Sequence, residues 1–366
     1  MLPHLPPKPR IAIVRFSALG DVVMVSAAIN ALQRALPDAE ITWFTSPLTY
    51  SLLHRMPGVQ FVAVDKPRSF SDYRAFYRRF RERDFDAVLA MQANLRINLL
   101  YPALRAPIKI GFDRTRAREG QWLFCGQHIQ FHDAHLVDSF LSFVEKLTGQ
   151  AAEANWNLPV GEEDMEWALQ QLAKFKSSPT LTLPRGERGQ TKALHEPSLI
   201  AIHPHASKAE RNWLPERYAE VILKSSGSIV LTGGDSLAER TLCQQLCAIA
   251  PDRTLDLCGK TSPKQLAAVL GKVDALIAPD TGAVHIARAM DTPVIGLYAV
   301  ASPKLTGPYQ RTEYCVDRYP QAVRKYLGKD PEQLLWNTRV HHPDAMSLIG
   351  VDDVLQQLTR VLDGTK

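Results

Sequence analysis

The run 274–298, DALIAPDTGAVHIARAMDTPVIGLY, leaves the chain few ways to fold. An apolar strand, Asp274–Ala278, runs into Pro279, Asp280, Thr281 and Gly282. A helix opens at Ala283, with the small residues Ala287 and Ala289 where packing must be close, and a second apolar strand, Val294–Tyr298, follows Pro293. Two apolar strands joined through a helix read as a βαβ unit, whose parallel strands need helices on both faces. A helix N-terminus presents unpaired N–H groups and partial positive charge, which suits a phosphate. Thr281 can cap this helix and Gly282 lets a ligand approach the backbone, with His285 one turn further on. The same spacing also fits an ordinary strand–turn–helix with no ligand.

The alternation recurs along the whole chain. In the first half, strands are read at Ile11–Val14, Glu40–Thr45, Val59–Val64, Asp86–Met91 and Ile108–Phe112. Helices are read at Asp21–Ala35, Leu48–His54, Tyr73–Arg83 and His135–Thr148. Leu158–Pro159 looks like a linker, and Glu163–Lys174 reads as a helix. Ser177–Pro197 is poor in apolar residues, carries Pro179, Pro184, Gly186 and Gly189, and follows neither period, so a flexible inserted loop is expected. Alternation resumes with strands at Leu199–His203, Ser228–Thr232 and Thr254–Asp256, and helices from Pro215, at Ala238–Ala250 and at Pro263–Leu270. The expected architecture is α/β, with two doubly wound Rossmann-like domains whose ligand crevices lie at the carboxyl ends of the strands. Residues 1–158 form the N-terminal domain, 159–197 a linker helix and flexible loop, and 198–345 the C-terminal domain. Residues 346–366 form a terminal helix expected to pack back near the N-terminal domain.

Composition narrows the function. At 366 residues, with 45% hydrophobic and 22% charged, the chain has room for two globular domains. No run of 18 apolar residues suggests a membrane span, and MLPHLPPKPR lacks the apolar core of a secretory signal. Five cysteines without a CxxC pair point to reduced thiols in a cytoplasmic protein, with Cys243 and Cys247 as packing residues. Lys and Arg exceed Asp and Glu by five overall, and the whole excess falls before Leu158. A basic surface attracts phosphates or acidic lipids; no zinc finger or helix-turn-helix pattern supports nucleic acid. His128, His132 and His135 match no zinc spacing, so no metal is expected. Neither GxxxxGK[ST] nor a GxGxxG after a strand occurs, which argues against an NTPase or a typical dehydrogenase.

The run Lys66–Arg83 holds seven bases against Asp72 and Glu82, interleaved with Phe70, Tyr73, Phe76, Tyr77 and Phe80. Its aromatic stripe is expected to cover a sheet, leaving a basic face for lipid headgroups.

A second motif meets the first at a common expectation. Arg15–Gln33, RFSALGDVVMVSAAINALQ, follows the first strand and enters a helix at about Asp21. Taken alone, Asp21 is an acid in a first helical turn, which stabilises the helix dipole by about 0.3–1 kcal/mol. The S-x-L-G-D motif here, together with D-T-G-x-x-H-x-A and the following x-P-x-x-x-L-Y strand, resembles the glycosyltransferase family 9 heptosyltransferases. The resemblance covers about Arg10 to Gly307. It implies a GT-B arrangement, two Rossmann-like domains facing across a cleft. It implies an inverting, metal-independent transfer of heptose from ADP-heptose to the inner core of lipopolysaccharide.

The resemblance also implies roles. Asp21 would be the general base that takes the proton of the acceptor hydroxyl. In His203–Pro215, Ser207 and Arg211 match the family's phosphate-gripping hydroxyl and base, where the family commonly has Lys in place of Arg211. Thr281 and Gly282 would give backbone N–H groups to the same diphosphate. Asp280 would hold donor-sugar hydroxyls or cap its own turn. His285 binds substrate or bonds a backbone carbonyl, and Glu239, after Gly233–Gly234, holds the donor ribose or is a solvated first-turn acid. On the acceptor side stand Gln92, Asn94 and Arg96, then Arg114, Arg116 and Arg118 before Glu119. Arg118–Glu119 matches a family R-E pair, suited to a Kdo–lipid A or core acceptor; a solvated basic turn is the alternative. The implied partners are a nucleotide sugar, that acceptor and an anionic membrane surface. The implied protein is a monomer, peripheral at the cytoplasmic face of the inner membrane, with no cofactor. A fold-mate using a different nucleotide sugar, or a non-catalytic sugar-nucleotide-binding protein, remains the alternative.

Overall fold

The computed structural model describes residues 4–176 and 198–364; the expected loop Ser177–Pro197 lies outside the described residues. Two compact units meet in sequence at Pro159 and Val160.

The first unit is built on β1 (Arg10–Val14), β2 (Glu40–Thr45), β3 (Val59–Ala63), β4 (Ala87–Leu89), β5 (Ile108–Gly111) and β6 (Gln127–His128). These form one six-stranded sheet in the order β3-β2-β1-β4-β5-β6, with every pair parallel. Its helices are α1 (Leu19–Ala35), α2 (Pro47–Leu53), α3 (Phe70–Phe80), α4 (Leu95–Asn98) and α5 (Leu136–Thr148). Ile11, Ala12, Ile13 and Val14 are all buried, so both faces of β1 are covered, as a parallel sheet requires. On one face Ala12 and Val14 share a core with Phe44, Phe76, Phe80 and Phe85, and the Phe44 and Phe80 rings meet edge to face at 5.1 Å. α3 starts three residues before the expected Tyr73. Ser69 accepts from the Asp72 N–H, and Asp72 accepts from the Ser69 N–H at 2.9 Å, a reciprocal capping box that fixes the helix start.

The second unit contains α6 (Glu162–Lys176), β7 (Leu199–Ile202), α7 (Pro215–Lys224), β8 (Ser228–Leu231), α8 (Leu237–Ile249), β9 (Thr254–Asp256), α9 (Pro263–Leu270), β10 (Ala275–Pro279), α10 (Gly282–Ala289), β11 (Val294–Tyr298), α11 (Pro303–Thr306), β12 (Val316–Asp317), α12 (Tyr319–Ala322) and α13 (Val351–Gly364). Its six parallel strands run β12-β11-β10-β7-β8-β9. α6, read from sequence as part of a linker, packs on α9 and so belongs to this unit. The terminal helix α13 was expected near the N-terminal domain. Its apolar residues Val354, Leu358 and Val361 instead lie in the second unit's core, against α7.

In each sheet the chain order reverses beside the first strand of its unit, between β1 and β4 and between β7 and β10. Strand ends at such a reversal open a crevice where ligands bind in doubly wound sheets.

Candidate functional site

In the first unit the candidate residues follow β1 and β4. Ala18 is the N-cap of α1, and an alanine offers no capping side chain; only the reverse half of a capping box is made, by Asp21 three residues on. Its Oδ2 accepts from the Ala18 N–H at 2.8 Å and pairs with Arg15 Nη2 at 2.5 Å. Among the described residues both contacts fall on Oδ2, no hydrogen bond engages Oδ1, and the side chain keeps 26% exposure. Arg15 is itself held: it donates to the Met91 carbonyl at 2.7 Å and lies 5.3 Å from the Phe140 ring centroid. Gln92, after β4, is buried and accepts from the Phe16 N–H at 2.7 Å, bracing the loop that leads to α1.

Lys66 hydrogen-bonds Ser17 and also lines a groove of about 540 Å³ with Arg68, Tyr73, Asn94, Arg96 and Glu119. Burial, then repulsion from Arg15 and Arg96, pulls the Lys66 ammonium below its ordinary pKa, partly offset by Asp21. Of the expected acceptor residues, Asn94, Arg96 and Glu119 therefore share one groove, whereas Arg118 is exposed beside it. Two of them are also structural: Asn94 caps α4 through Ile97 N–H at 3.1 Å, and Glu119 accepts from the Leu95 N–H at 2.5 Å. The basic triplet 114–118 is divided. Arg116 is buried against Asp113, Ser139 and the Gln130 carbonyl, so it braces the fold and is not available to a ligand there. Arg114 stands over the Trp122 ring at 5.8 Å.

In the second unit the candidates follow β7, β8 and β10. Arg211 Nη1 lies 3.1 Å from Asp280 Oδ2 and 3.3 Å from the Asp280 carbonyl, tying the β7–α7 loop to the turn that opens α10. Arg339 approaches the same Oδ2 at 3.9 Å. Thr281 occupies the N-cap of α10, but its side chain makes no capping bond, against expectation. Ser207 is exposed three residues beyond Pro204, and His285 is buried on the first turn and a half of α10.

Glu239 is not a solvated helix acid. Its Oε1 accepts from the Gly234 N–H at 2.9 Å, its Oε2 from the Ser236 hydroxyl at 2.5 Å, and His205 Nδ1 stands 3.8 Å away. Burial raises its pKa, but these bonds and the two imidazoles of His205 and His203 outweigh it and hold the carboxyl below its ordinary value. Beneath it His203 Nδ1 sits 3.0 Å from Thr232 Oγ1, and burial lowers its pKa to about 4. An anionic acceptor beside a glycine turn can take hydroxyl donors, and a cation with free helical N–H groups can take an oxyanion.

Residues 73–332 match the family model described as glycosyltransferase family 9 (heptosyltransferase). The chain is also 31% identical over 355 residues to the lipopolysaccharide core heptosyltransferase OpsX of Haemophilus influenzae, covering 96% of each protein. The chain belongs to glycosyltransferase family 9. The fold agrees: a family 9 glycosyl transferase from Veillonella parvula superposes with a TM-score of 0.74 at 20% identity, covering 97% of both chains. The E. coli heptosyltransferase WaaC with ADP gives 0.69 at 20% identity over 96% of this chain and 99% of that one. This glycosyltransferase therefore has the GT-B fold.

Three residues that lie against the candidate sites were not singled out by the sequence. Lys66 is one base in a charged run, Arg339 lies in a tail without period, and His203 looks like the end of a strand. Each is drawn in by tertiary contact alone. Among the described residues no group of His, Cys, Asp and Glu could hold a metal ion, and no helix is long and apolar enough to cross a membrane.

Proposed function

We propose that this transferase moves a heptose from ADP-heptose to the inner core of lipopolysaccharide, inverting the anomeric centre. The observation that carries this reading is the Asp21 carboxylate, pinned through Oδ2 with Oδ1 left to accept a proton. An acceptor hydroxyl attacking the anomeric carbon must lose its proton as the new bond forms, and a fixed carboxylate within reach takes it. The bond that breaks joins that carbon to a diphosphate, which leaves without an acid when its charge is met. One carboxylate therefore suffices, where a glycoside hydrolase needs two.

The second unit supplies the rest. Arg211, Ser207 and the N–H groups of Thr281 and Gly282 hold the departing diphosphate; Glu239 holds the ribose hydroxyls, and Asp280 and His285 the donor sugar. In the first unit Asn94, Arg96, Arg118 and Glu119 receive an acceptor such as Kdo–lipid A, to which Lys66 adds a further cation. The enzyme works as a monomer, peripheral at the cytoplasmic face of the inner membrane, with no metal or cofactor.

Purified enzyme given ADP-heptose and Kdo–lipid A or a heptosylated core should release ADP. Asp21→Ala should lower turnover at least ~100-fold, the usual scale for a lost general base, while ADP still binds by calorimetry. No ADP release with any inner-core acceptor sinks the substrate assignment; full activity of the variant sinks the role of Asp21.

A further inference from the structure

The turn that opens α10 carries a charge problem. Thr281 and Gly282 are assigned to a diphosphate, yet Asp280 stands directly before them, and a bare carboxylate so close would repel it. One guanidinium, that of Arg211 at 3.1 Å, cancels the Asp280 charge. A net attraction for phosphate needs a second cation.

Arg339 is placed to be that cation. It stands on a segment far along the chain from both loops, with its backbone fixed on either side. The Val340 N–H donates to the Val300 carbonyl at 2.9 Å, two residues past the end of β11, and β11 is the neighbour of β10. The Tyr319 hydroxyl donates to the Thr338 carbonyl at 2.8 Å, and Val340 is fully buried in the core of the unit. The residues flanking Val340 both reach the loops of the candidate donor site. Arg339 Nη1 lies 3.9 Å from Asp280 Oδ2, and His341 Nδ1 lies 2.9 Å from Oε2 of Glu210, the residue before Arg211.

Around Asp280 the cations outnumber the carboxylate. Two guanidinium groups, with side chains 17% and 22% exposed, face a single Asp280 oxygen. At 3.9 Å Arg339 is in the field of that oxygen but beyond hydrogen-bond range of it. Glu210 is bonded to His341 and feels Arg211 and Arg339 more weakly. Arg211 Nε is buried and, among the described residues, has no hydrogen-bond acceptor. Shielded cations in excess, with a buried donor unmet, suit an oxyanion ligand.

We propose that Arg339 binds the phosphate next to the donor sugar. Asp280 is assigned to that sugar. In a sugar–ADP the neighbouring phosphate is the second one, which takes up negative charge when the bond to the sugar breaks. A cation beside Asp280 serves that phosphate rather than the one attached to adenosine. The proposal rests on the reading of this unit as the donor site and adds to it a residue outside every motif.

The test is calorimetric titration of the full-length protein with ADP and with AMP. Wild type should bind ADP more tightly than AMP. Arg339→Gln should weaken ADP at least ~10-fold, the scale of one hydrogen bond to a charged group, and leave AMP within ~2-fold. Arg339→Lys, which keeps the charge without the planar fork, should recover part of the loss. Were Arg339 only a brace for Asp280, replacing it would change nothing once Asp280 is neutral. Adding Arg339→Gln to Asp280→Asn should therefore still cost ~10-fold in ADP affinity relative to Asp280→Asn alone. Equal losses for ADP and AMP, or no further loss in the Asp280→Asn background, overturn the proposal. Wild-type protein that binds no ADP overturns the donor reading together with it; undiminished ADP affinity in Arg339→Gln overturns the role of Arg339 alone.

Discussion

Arg211 and Asp280 lie 69 residues apart in sequence and 3.1 Å apart in space, with side chains only 17% and 10% exposed. An ion pair so shielded cannot be treated as a surface bridge. Removing one partner leaves the other's charge in a poorly solvated place, while removing both costs only the weaker contact of Arg339 with that carboxylate. Arg211→Ala should therefore cost about 1–3 kcal/mol of stability, less than the extreme for a buried pair because Arg339 remains within 3.9 Å of Asp280. It should also weaken ADP binding, if Arg211 grips the diphosphate. Adding Asp280→Asn should restore most of the stability and none of the affinity. Denaturant unfolding and calorimetry on the three variants separate the two effects. Equal losses of stability in the single and double variants would mean that the pair is not coupled; unchanged affinity in Arg211→Ala would remove it from the donor site. This pairing was not legible in the sequence, since spacing within a motif cannot reveal a partner on another loop. Asp21 was readable because the S-x-L-G-D motif is contiguous, but its anchoring to Arg15 came from the strand placing both on one crevice edge.

At the scale of elements, the end of β7 carries a titration that should be visible in stability. His203 has its pKa lowered by burial from about 6.5 to about 4. The folded unit therefore holds it neutral where the unfolded chain begins to take a proton. The sign follows: the contribution is fully present above pH 6.5, is lost as pH falls toward 4, and changes no further below that. A shift of this size corresponds to roughly 3 kcal/mol over the window. His203→Gln should flatten the stability–pH curve between pH 6.5 and 4, measured by urea unfolding at several pH values; an unchanged slope would show that other groups govern it. The long elements were legible because their patterns repeat: β1, β10 and β11 are near-continuous apolar runs, and α5 keeps its stripe from Leu136 to Leu147. The shortest were not. β6 and β12 have two residues each, and α4 is a single turn, too short for any period to register. The start of α3 lies before the aromatic stripe suggests, because Ser69 and Asp72 form the cap. α13 shows a third limit. Its amphipathic face was plain, yet a stripe says that a helix packs and not on what.

At the scale of the whole molecule, the proposed chemistry is split: every donor residue lies between Ser207 and Arg339, and the base and acceptor residues between Asp21 and Glu119. The charge is split in the same way, with the basic excess confined to the first half, where an anionic acceptor and an anionic surface would be met. A ligand that binds only folded protein slows opening of the elements that hold it, by an amount set by its concentration relative to its dissociation constant. ADP carries the donor's base, ribose and diphosphate but no sugar and no acceptor. Saturating ADP should therefore slow amide exchange in full-length protein at 203–211, 233–239 and 279–285. At ~100 times the dissociation constant the slowing there should approach 100-fold for amides that exchange through ligand-releasing opening. The segments 15–21 and 94–99 should exchange as they do without ligand. Hydrogen-exchange mass spectrometry with peptides covering these five segments decides it. Protection at 94–99 as large as at 279–285 would place nucleotide in the groove assigned to the acceptor, and the division of labour between the units would have to be redrawn.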